Sequence, residues 1–156
     1  MLKLAVCDDN PLSLQEITEV LEMDRRVEKV FVYENPQNLL KQIEKSEKDF
    51  DAIFMDIEFE QGENGIQYVK EIFRMAPEIQ MIYVTGYHDK YIQQIFFADA
   101  NLAGYLMKPL DKEILEQYLD KIHEKKNLRS VFTFSVRGKT HMIPMDCILD
   151  LESNNH

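Results

Sequence analysis

Asp8-Asp9, Asp56, Thr85 and Lys108 each follow an apolar run of strand-like composition, over residues 2–7, 52–55, 79–84 and 104–107 respectively. In an open parallel α/β sheet, ligands bind just outside the carboxyl ends of the strands. Four such ends would bring three carboxylates, a hydroxyl and an ammonium into one pocket. Crowded together, Asp8, Asp9 and Asp56 would repel one another, and at least one carboxyl would be pushed toward its protonated form. A divalent cation relieves that repulsion. Hard oxygen donors with room for waters suit Mg²⁺, which is usually held by a few carboxylates together with phosphate oxygens. Asp56 closes the third run and is the best-placed nucleophile. Carboxylate attack on a phosphoryl donor yields an aspartyl-phosphate. The metal and Lys108 would offset charge on the transferring group. The Thr85 hydroxyl can donate to a phosphoryl oxygen, and Gly86 leaves room beside it.

Each feature alone has an ordinary explanation. Asp-Asp after a strand is commonly a turn and helix cap, and a strand-end Asp, Thr or Lys is commonly a loop residue. Their joint occurrence at strand ends, in this order, is what favours a phosphoryl site.

The elements that must position them alternate between strand-like and amphipathic segments, the pattern of a parallel βαβ sheet. A first helix is expected from about Pro11, with Leu14, Ile17, Val20 and Leu21 on its apolar face. Residues 27–33 read as a second strand. Asn35-Pro36 opens a second helix carrying Leu39, Leu40 and Ile43. Residues 58–65 are a polar loop that holds Glu58, Glu60 and Glu63. A third helix over residues 66–75 stops before Pro77. The segment from Asp89 to Asp99 holds Ile92, Ile95 and Phe96. Asp111 caps a last helix with Ile114, Leu115, Tyr118, Leu119 and Ile122. Five βα units thus end near residue 123, an ordinary size for one domain.

The character of the chain then changes. Residues 124–127, Glu-Lys-Lys-Asn, read as a charged linker. Residues 131–136 read as a strand, Arg137-Gly138-Lys139 as a turn, and residues 140–144 as the returning strand of a hairpin. Residues 147–151 suggest a third strand. Such a short β segment makes a poor core by itself, and it reads as the opening of a second domain.

Charge follows the same division. The net charge of the 156-residue chain is −10; up to His123 there are 13 basic and 24 acidic residues, and beyond it 5 and 4. The acidic part is a poor electrostatic match for nucleic acid. Cys7 falls in a buried strand and Cys147 in the tail, so both are expected to be free thiols of a reducing compartment. Acidic residues come too early for a secretory leader, and no run reaches membrane-spanning length. The expected location is the cytoplasm, with no membrane partner.

Five stretches together resemble the response-regulator receiver domain of two-component signalling: Val6-Cys7-Asp8-Asp9-Asn10, Ile53-Phe54-Met55-Asp56-Ile57, Asn64-Gly65-Ile66, Tyr83-Val84-Thr85-Gly86 and Gly104-Tyr105-Leu106-Met107-Lys108-Pro109. The resemblance covers residues 1–123 and implies a doubly wound, flavodoxin-like, five-stranded parallel sheet. It implies Asp56 as the phosphoacceptor, and Asp8, Asp9, Asp56 and the Glu58 backbone carbonyl as Mg²⁺ ligands. Thr85 would be the switch hydroxyl, Lys108 the phosphate-binding lysine and Tyr105 the aromatic switch, with a cis bond before Pro109. A sensor histidine kinase would be the partner. Such a domain is a phosphoacceptor with self-catalysed phosphoryl transfer and dephosphorylation rather than an enzyme acting on other substrates. Tyr87 either shields the phosphoryl group or is an exposed loop tyrosine. The apolar cluster from Ile92 to Phe97 is either a broad core contact or a homodimer face formed on phosphorylation.

Residues 130–156 are similar to the start of a LytTR-type DNA-binding domain, on Phe132 to Lys139 and Ile143 to Ser153. The implied organisation is a receiver over 1–123, a linker over 124–129 and an incomplete DNA-binding domain over 130–156. Asn155 and His156 would lie near a DNA-contacting loop, or form a polar tail end. DNA binding is expected only of an intact, longer transcription regulator. Two other readings compete: a receiver acting by protein contact alone, and an aspartyl-phosphate phosphohydrolase. Phosphohydrolases of the haloacid dehalogenase class place an Asp two residues after the nucleophile, where this chain has Glu58.

Overall fold

The computed structural model describes residues 1–45, 49–60, 62, 64–86, 91–98 and 100–138, and only the backbone of Ile92, Phe96 and residues 130–138. Strands and helices alternate: β1 (Leu2–Cys7), α1 (Pro11–Glu22), β2 (Val27–Tyr33), α2 (Pro36–Glu44), β3 (Ala52–Asp56), α3 (Gly65–Met75), β4 (Gln80–Thr85), α4 (Ile92–Phe97), β5 (Leu102–Met107) and α5 (Lys112–Gly138). The chain divides into two compact units, Met1–Ile122 and His123–His156.

The first three helices start alike, for the same physical reason. An Asn in extended conformation accepts hydrogen bonds from the first free backbone N–H groups. Asn10 caps α1 through Leu12 and Ser13, Asn35 caps α2 through Gln37, and Asn64 caps α3 through Ile66. Pro11 and Pro36 occupy first-turn positions, where no N–H is required.

All strand pairs are parallel, in the order β2-β1-β3-β4-β5. Alternation along each strand sends side chains to two cores. On one face, Ala5, Cys7, Ile53, Met55, Met81 and Tyr83 meet α2, α3 and α4 through Leu39, Ile43, Ile66, Val69, Ile72 and Ile95. On the other, Leu4, Val6, Phe54, Ile82 and Val84 meet α1 and α5 through Leu14, Ile17, Leu21, Leu115, Leu119 and Ile122. The order reverses direction between β1 and β3, and a doubly wound sheet opens its ligand crevice at such a reversal.

The two rims of α5 hold it by different means. Near the α1–β2 turn, Arg26 pairs with Asp24 at 2.9 Å, also bonds Asp120, and reaches the Glu116 carbonyl at 3.4 Å. At the open edge of β5, the Tyr118 hydroxyl donates to the Tyr105 carbonyl at 3.0 Å and accepts the Tyr105 N–H at 3.4 Å. The hydroxyl stands where a neighbouring strand would otherwise pair. Gly104 makes this approach possible: a Cβ there would lie 2.2 Å from a Tyr118 ring carbon.

The tail departs from its sequence reading. α5 continues without a break through the segment read as a linker and through the strand expected at 131–136, as far as Gly138 of the expected turn. A strand leaves its backbone groups for a neighbouring strand or water to satisfy, whereas a helix satisfies most of its own from within. The expected extended segments at 140–144 and 147–151 lie outside the described residues, as do Cys147, Asn155 and His156. Among the described residues, no helix is long and apolar enough to cross a membrane.

Gly104→Ala is expected to cost about 1–3 kcal/mol by overpacking, read as a lower urea midpoint at unchanged slope. In a Tyr118→Ala background the same change should cost little, because the ring it would strike is gone. An equal loss in both backgrounds would refute this account of the glycine.

Candidate functional site

The carboxyl ends of β1, β3, β4 and β5 converge. Cys7 pairs in register with Met55, so Asp8 and Asp56 stand side by side in the next row. Both are buried, at 1% and 4% exposure. Asp8 is fixed at its backbone by the Tyr33 carbonyl, 3.0 Å away, and one of its oxygens accepts the Asn10 N–H at 2.9 Å. Asp9 accepts the Glu60 N–H at 2.7 Å, which ties the loop after β3 to the end of β1. Carboxylate oxygens of Asp8, Asp9 and Asp56 all lie within 4.8 Å of one another. The Lys108 ammonium reaches Asp8 at 3.0 Å and Asp56 at 3.4 Å.

Thr85 ends β4, is buried, and accepts the Lys108 N–H at its carbonyl, 2.8 Å away. The Lys108–Pro109 peptide bond is cis. Tyr105 is half-buried on β5 and packs against the core shared with α2, α3 and α4. Glu58 follows Asp56 by two residues and bridges to Asn64, closing the intervening loop. Tyr87 and Glu63 lie outside the described residues. Of the apolar cluster at α4, Ile95 is buried in the core and Phe97 is 80% exposed, while the side chains of Ile92 and Phe96 are not described.

Electrostatics follow from this crowding. Burial first, and then the neighbouring Asp8, push the Asp56 carboxyl up to about 7, against the opposing pull of Lys108. Burial disfavours the Lys108 ammonium, but Asp56 and Asp8 outweigh it and hold its pKa above the ordinary lysine value. Burial, reinforced by Asp8 and Asp56, raises the Cys7 thiol far above its ordinary range, so it stays neutral and inert. Burial and the crowding of like charges both hold Asp56 back from ionising, and a bound cation would relieve the second of these. The donor set is all oxygen, and a hard divalent cation fits it.

Three residues contribute to the site in ways the sequence reading does not specify, although it counts Gly65 in a matching stretch and Tyr118 on the apolar face of the last helix. Gly65 packs so tightly on Asp56 that a Cβ would lie 1.9 Å from the Asp56 carbonyl oxygen. Its N–H donates to the Ile57 carbonyl at 2.7 Å, so the start of α3 is pressed against the backbone of the buried carboxylate. An Asn-Gly pair before an amphipathic run was the available signal. Tyr91, buried just ahead of α4, donates its hydroxyl to the Glu58 carboxylate. Tyr118, on α5, holds the backbone of Tyr105. Neither tyrosine is marked by local sequence, because each partner is distant in the chain.

A doubly wound sheet with an acidic pocket and a lysine at its switch point is the architecture of CheY-like receiver domains. The BeF3-activated DrrB receiver domain superposes with a TM-score of 0.66 at 25% identity, covering 80% of this chain and 98% of that one. A CheY-like response regulator receiver domain protein from Methanospirillum hungatei gives 0.68 at 23% identity, over 81% and 98%. The response regulator receiver domain family matches residues 4–120, and the chain belongs to that family.

Among curated proteins, the chain is 26% identical to the sensory transduction protein LytR of Staphylococcus epidermidis, over 93% of this chain and 60% of that protein. It is 28% identical to the sensory transduction protein LytT of Bacillus anthracis, over 88% and 54%. It is 25% identical to the transcriptional regulatory protein LytR of Staphylococcus aureus, over 99% and 67%. The chain therefore spans little more than half the length of the first two.

Asp56 carries a folding cost that depends on pH. Below its ordinary value of 3.8 it is protonated whether folded or unfolded, and the cost is absent; the cost grows as pH rises and is complete above about 7. Asp56→Asn should therefore raise Tm in metal-free buffer at pH 8 by about 2–8 °C. The gain should shrink steadily toward pH 4 in a thermal-melt series. A gain independent of pH would contradict the burial and repulsion assigned to Asp56.

Proposed function

We propose that Asp56 is the phosphoacceptor of a two-component response regulator and receives its phosphoryl group from a sensor histidine kinase. The observation that carries this reading is the contact of Lys108 with both Asp8 and Asp56, inside a trio of carboxylates whose oxygens lie within 4.8 Å. In the transfer, an Asp56 carboxylate oxygen forms the new P–O bond. The bond from phosphorus to the donor imidazole nitrogen breaks, and its electron pair leaves with the imidazole. Mg²⁺, held by Asp8, Asp9, Asp56 and the Glu58 carbonyl, supplies positive charge for the phosphoryl oxygens when bound. Lys108 neutralises charge from the other side, and the Thr85 hydroxyl donates to a phosphoryl oxygen. Asp56 reacts as the carboxylate, so the positive charge that favours transfer also favours the reactive ionised form.

The consequence is a population shift. Thr85 moves toward the phosphoryl group, Tyr105 turns into the vacated space, and the outer surface changes its affinity for a partner. Phe97, 80% exposed on α4, supports a homodimer face in the Ile92–Phe97 region. The likeness to LytR and LytT, and the share of their length that this chain spans, support a longer regulator. In it, residues 1–123 are the receiver, residues 124–129 the linker, and residues 130–156 begin a LytTR-type domain whose Asn155 and His156 approach DNA; the α5 helix over residues 124–138 of this chain counts against that boundary, and the likeness to LytR and LytT supports it. Its output is transcription regulation in the cytoplasm. Membership of the receiver family counts against the phosphohydrolase reading.

Incubation with Mg²⁺ and acetyl phosphate should add one phosphoryl group by intact mass. The gain should vanish with chelator and in Asp56→Asn. Lys108→Ala should take up the group, if at all, at a rate lower by about 10²-fold or more. A gain that persists in Asp56→Asn would reject Asp56 as the acceptor.

A further inference from the structure

The loop between β3 and α3 is tied at both ends of its span to the start of α4. The Glu58 carboxylate accepts the Tyr91 hydroxyl, and the Asn64 side-chain amide donates to the Gln94 side chain at 3.3 Å. The same loop is tied to the acidic pocket through the Glu60 N–H on Asp9, 2.7 Å apart. Glu58 and Asn64 are themselves joined by an antiparallel bridge, which links the two ties to each other. Tyr91 is buried at the entrance of α4, and no side chain caps that helix. The Tyr91 carbonyl accepts the Ile95 N–H at 2.9 Å, which makes the tyrosine the first link of the α4 hydrogen-bond ladder.

We propose that Tyr91 is a positioning residue that couples the acidic pocket to α4 by gripping the carboxylate of Glu58. The loop has two handles. Its backbone meets the pocket through the Glu60 N–H on Asp9, and its side chains meet α4 and the residue before it through Glu58 and Asn64. A ligand that draws the loop backbone toward the carboxylates must therefore pull on Tyr91 or release it. α4 carries the exposed Phe97, so its placement is what a partner would read. A hydrogen bond to a carboxylate is among the stronger neutral-donor bonds, which suits a tie that must hold a six-residue helix. That the ligands are Mg²⁺ and a phosphoryl group rests on the function proposed above; the tie itself does not.

The test is amide hydrogen exchange on the full chain for wild type, Tyr91→Phe, Glu58→Ala and Glu58→Gln. Each is measured alone, with Mg²⁺, and with Mg²⁺ and acetyl phosphate, with intact mass recorded in parallel. Without additions, Tyr91→Phe and Glu58→Ala should speed exchange at the Ile95 and Ala98 amides by about fivefold or more. Glu58→Gln should stay near wild type, because its amide oxygen still accepts the tyrosine hydroxyl. Exchange in β1 and β3 should be unchanged throughout, which separates loss of the tie from loss of the fold. The change that Mg²⁺ or phosphorylation produces at α4 should be clearly smaller in Tyr91→Phe and Glu58→Ala than in wild type. Wild-type exchange at α4 in both variants, or an undiminished response to the additions, would overturn the proposal. A wild type that takes up no phosphoryl group would instead count against Asp56 as the acceptor, and the comparisons without additions and with Mg²⁺ alone would still decide the tie.

Discussion

Two carboxylates buried side by side at the end of a parallel sheet are an unfavourable arrangement, and the rest of this structure is organised around it. Asp8 and Asp56 are adjacent because β1 and β3 are neighbours in register. Neither can move away: Asp8 is held by the Tyr33 carbonyl and the Asn10 N–H, and Asp56 is backed by Gly65. The ammonium of Lys108 is the counter-charge that reaches both, and it comes from the far edge of the sheet. Burial penalises the Asp56 carboxylate, Asp8 adds repulsion, and the single ammonium of Lys108 does not offset the two, so Asp56 remains hard to ionise. Pockets of this kind store a driving force for binding positive charge, and they cost stability while they wait for it.

The supporting contacts answer to that cost. Close approach of α3 to β3 needs a residue without a side chain, and Gly65 supplies it. The acidic loop after β3 is tied down at two points: Asp9 grips it through the backbone of Glu60, and Tyr91 grips it through the carboxylate of Glu58. On the opposite side of the sheet, Arg26 and Tyr118 anchor α5 to the α1–β2 turn and to the edge strand. The residues around the pocket are thus held by hydrogen bonds, an ion pair and close packing contributed by several separate elements.

The tail shows how context decides an element. Residues 131–136, Val-Phe-Thr-Phe-Ser-Val, have the β-branched and aromatic composition of a strand, yet they continue α5. β-propensity expresses fitness for a pleated surface with neighbours on each side, and among the described residues no strand pairs with this segment. A helix needs no such neighbour.

Much of this protein was determined by sequence alone. The period of the apolar residues set the five βα units, the Asn-Pro pairs set where α1 and α2 begin, and the polar residues that close each apolar run marked the four strand ends of the pocket. These are local properties, decided by a residue and its near neighbours in the chain. The tertiary structure decided what depends on strand order and packing. It placed Lys108 on Asp8 and Asp56, pressed Gly65 against the Asp56 carbonyl, slid the Tyr118 ring over Gly104, and joined Tyr91 to Glu58. In each of these pairs the partners are far apart in sequence or on separate elements, and nothing in a linear pattern records which strand edges and helix faces will meet.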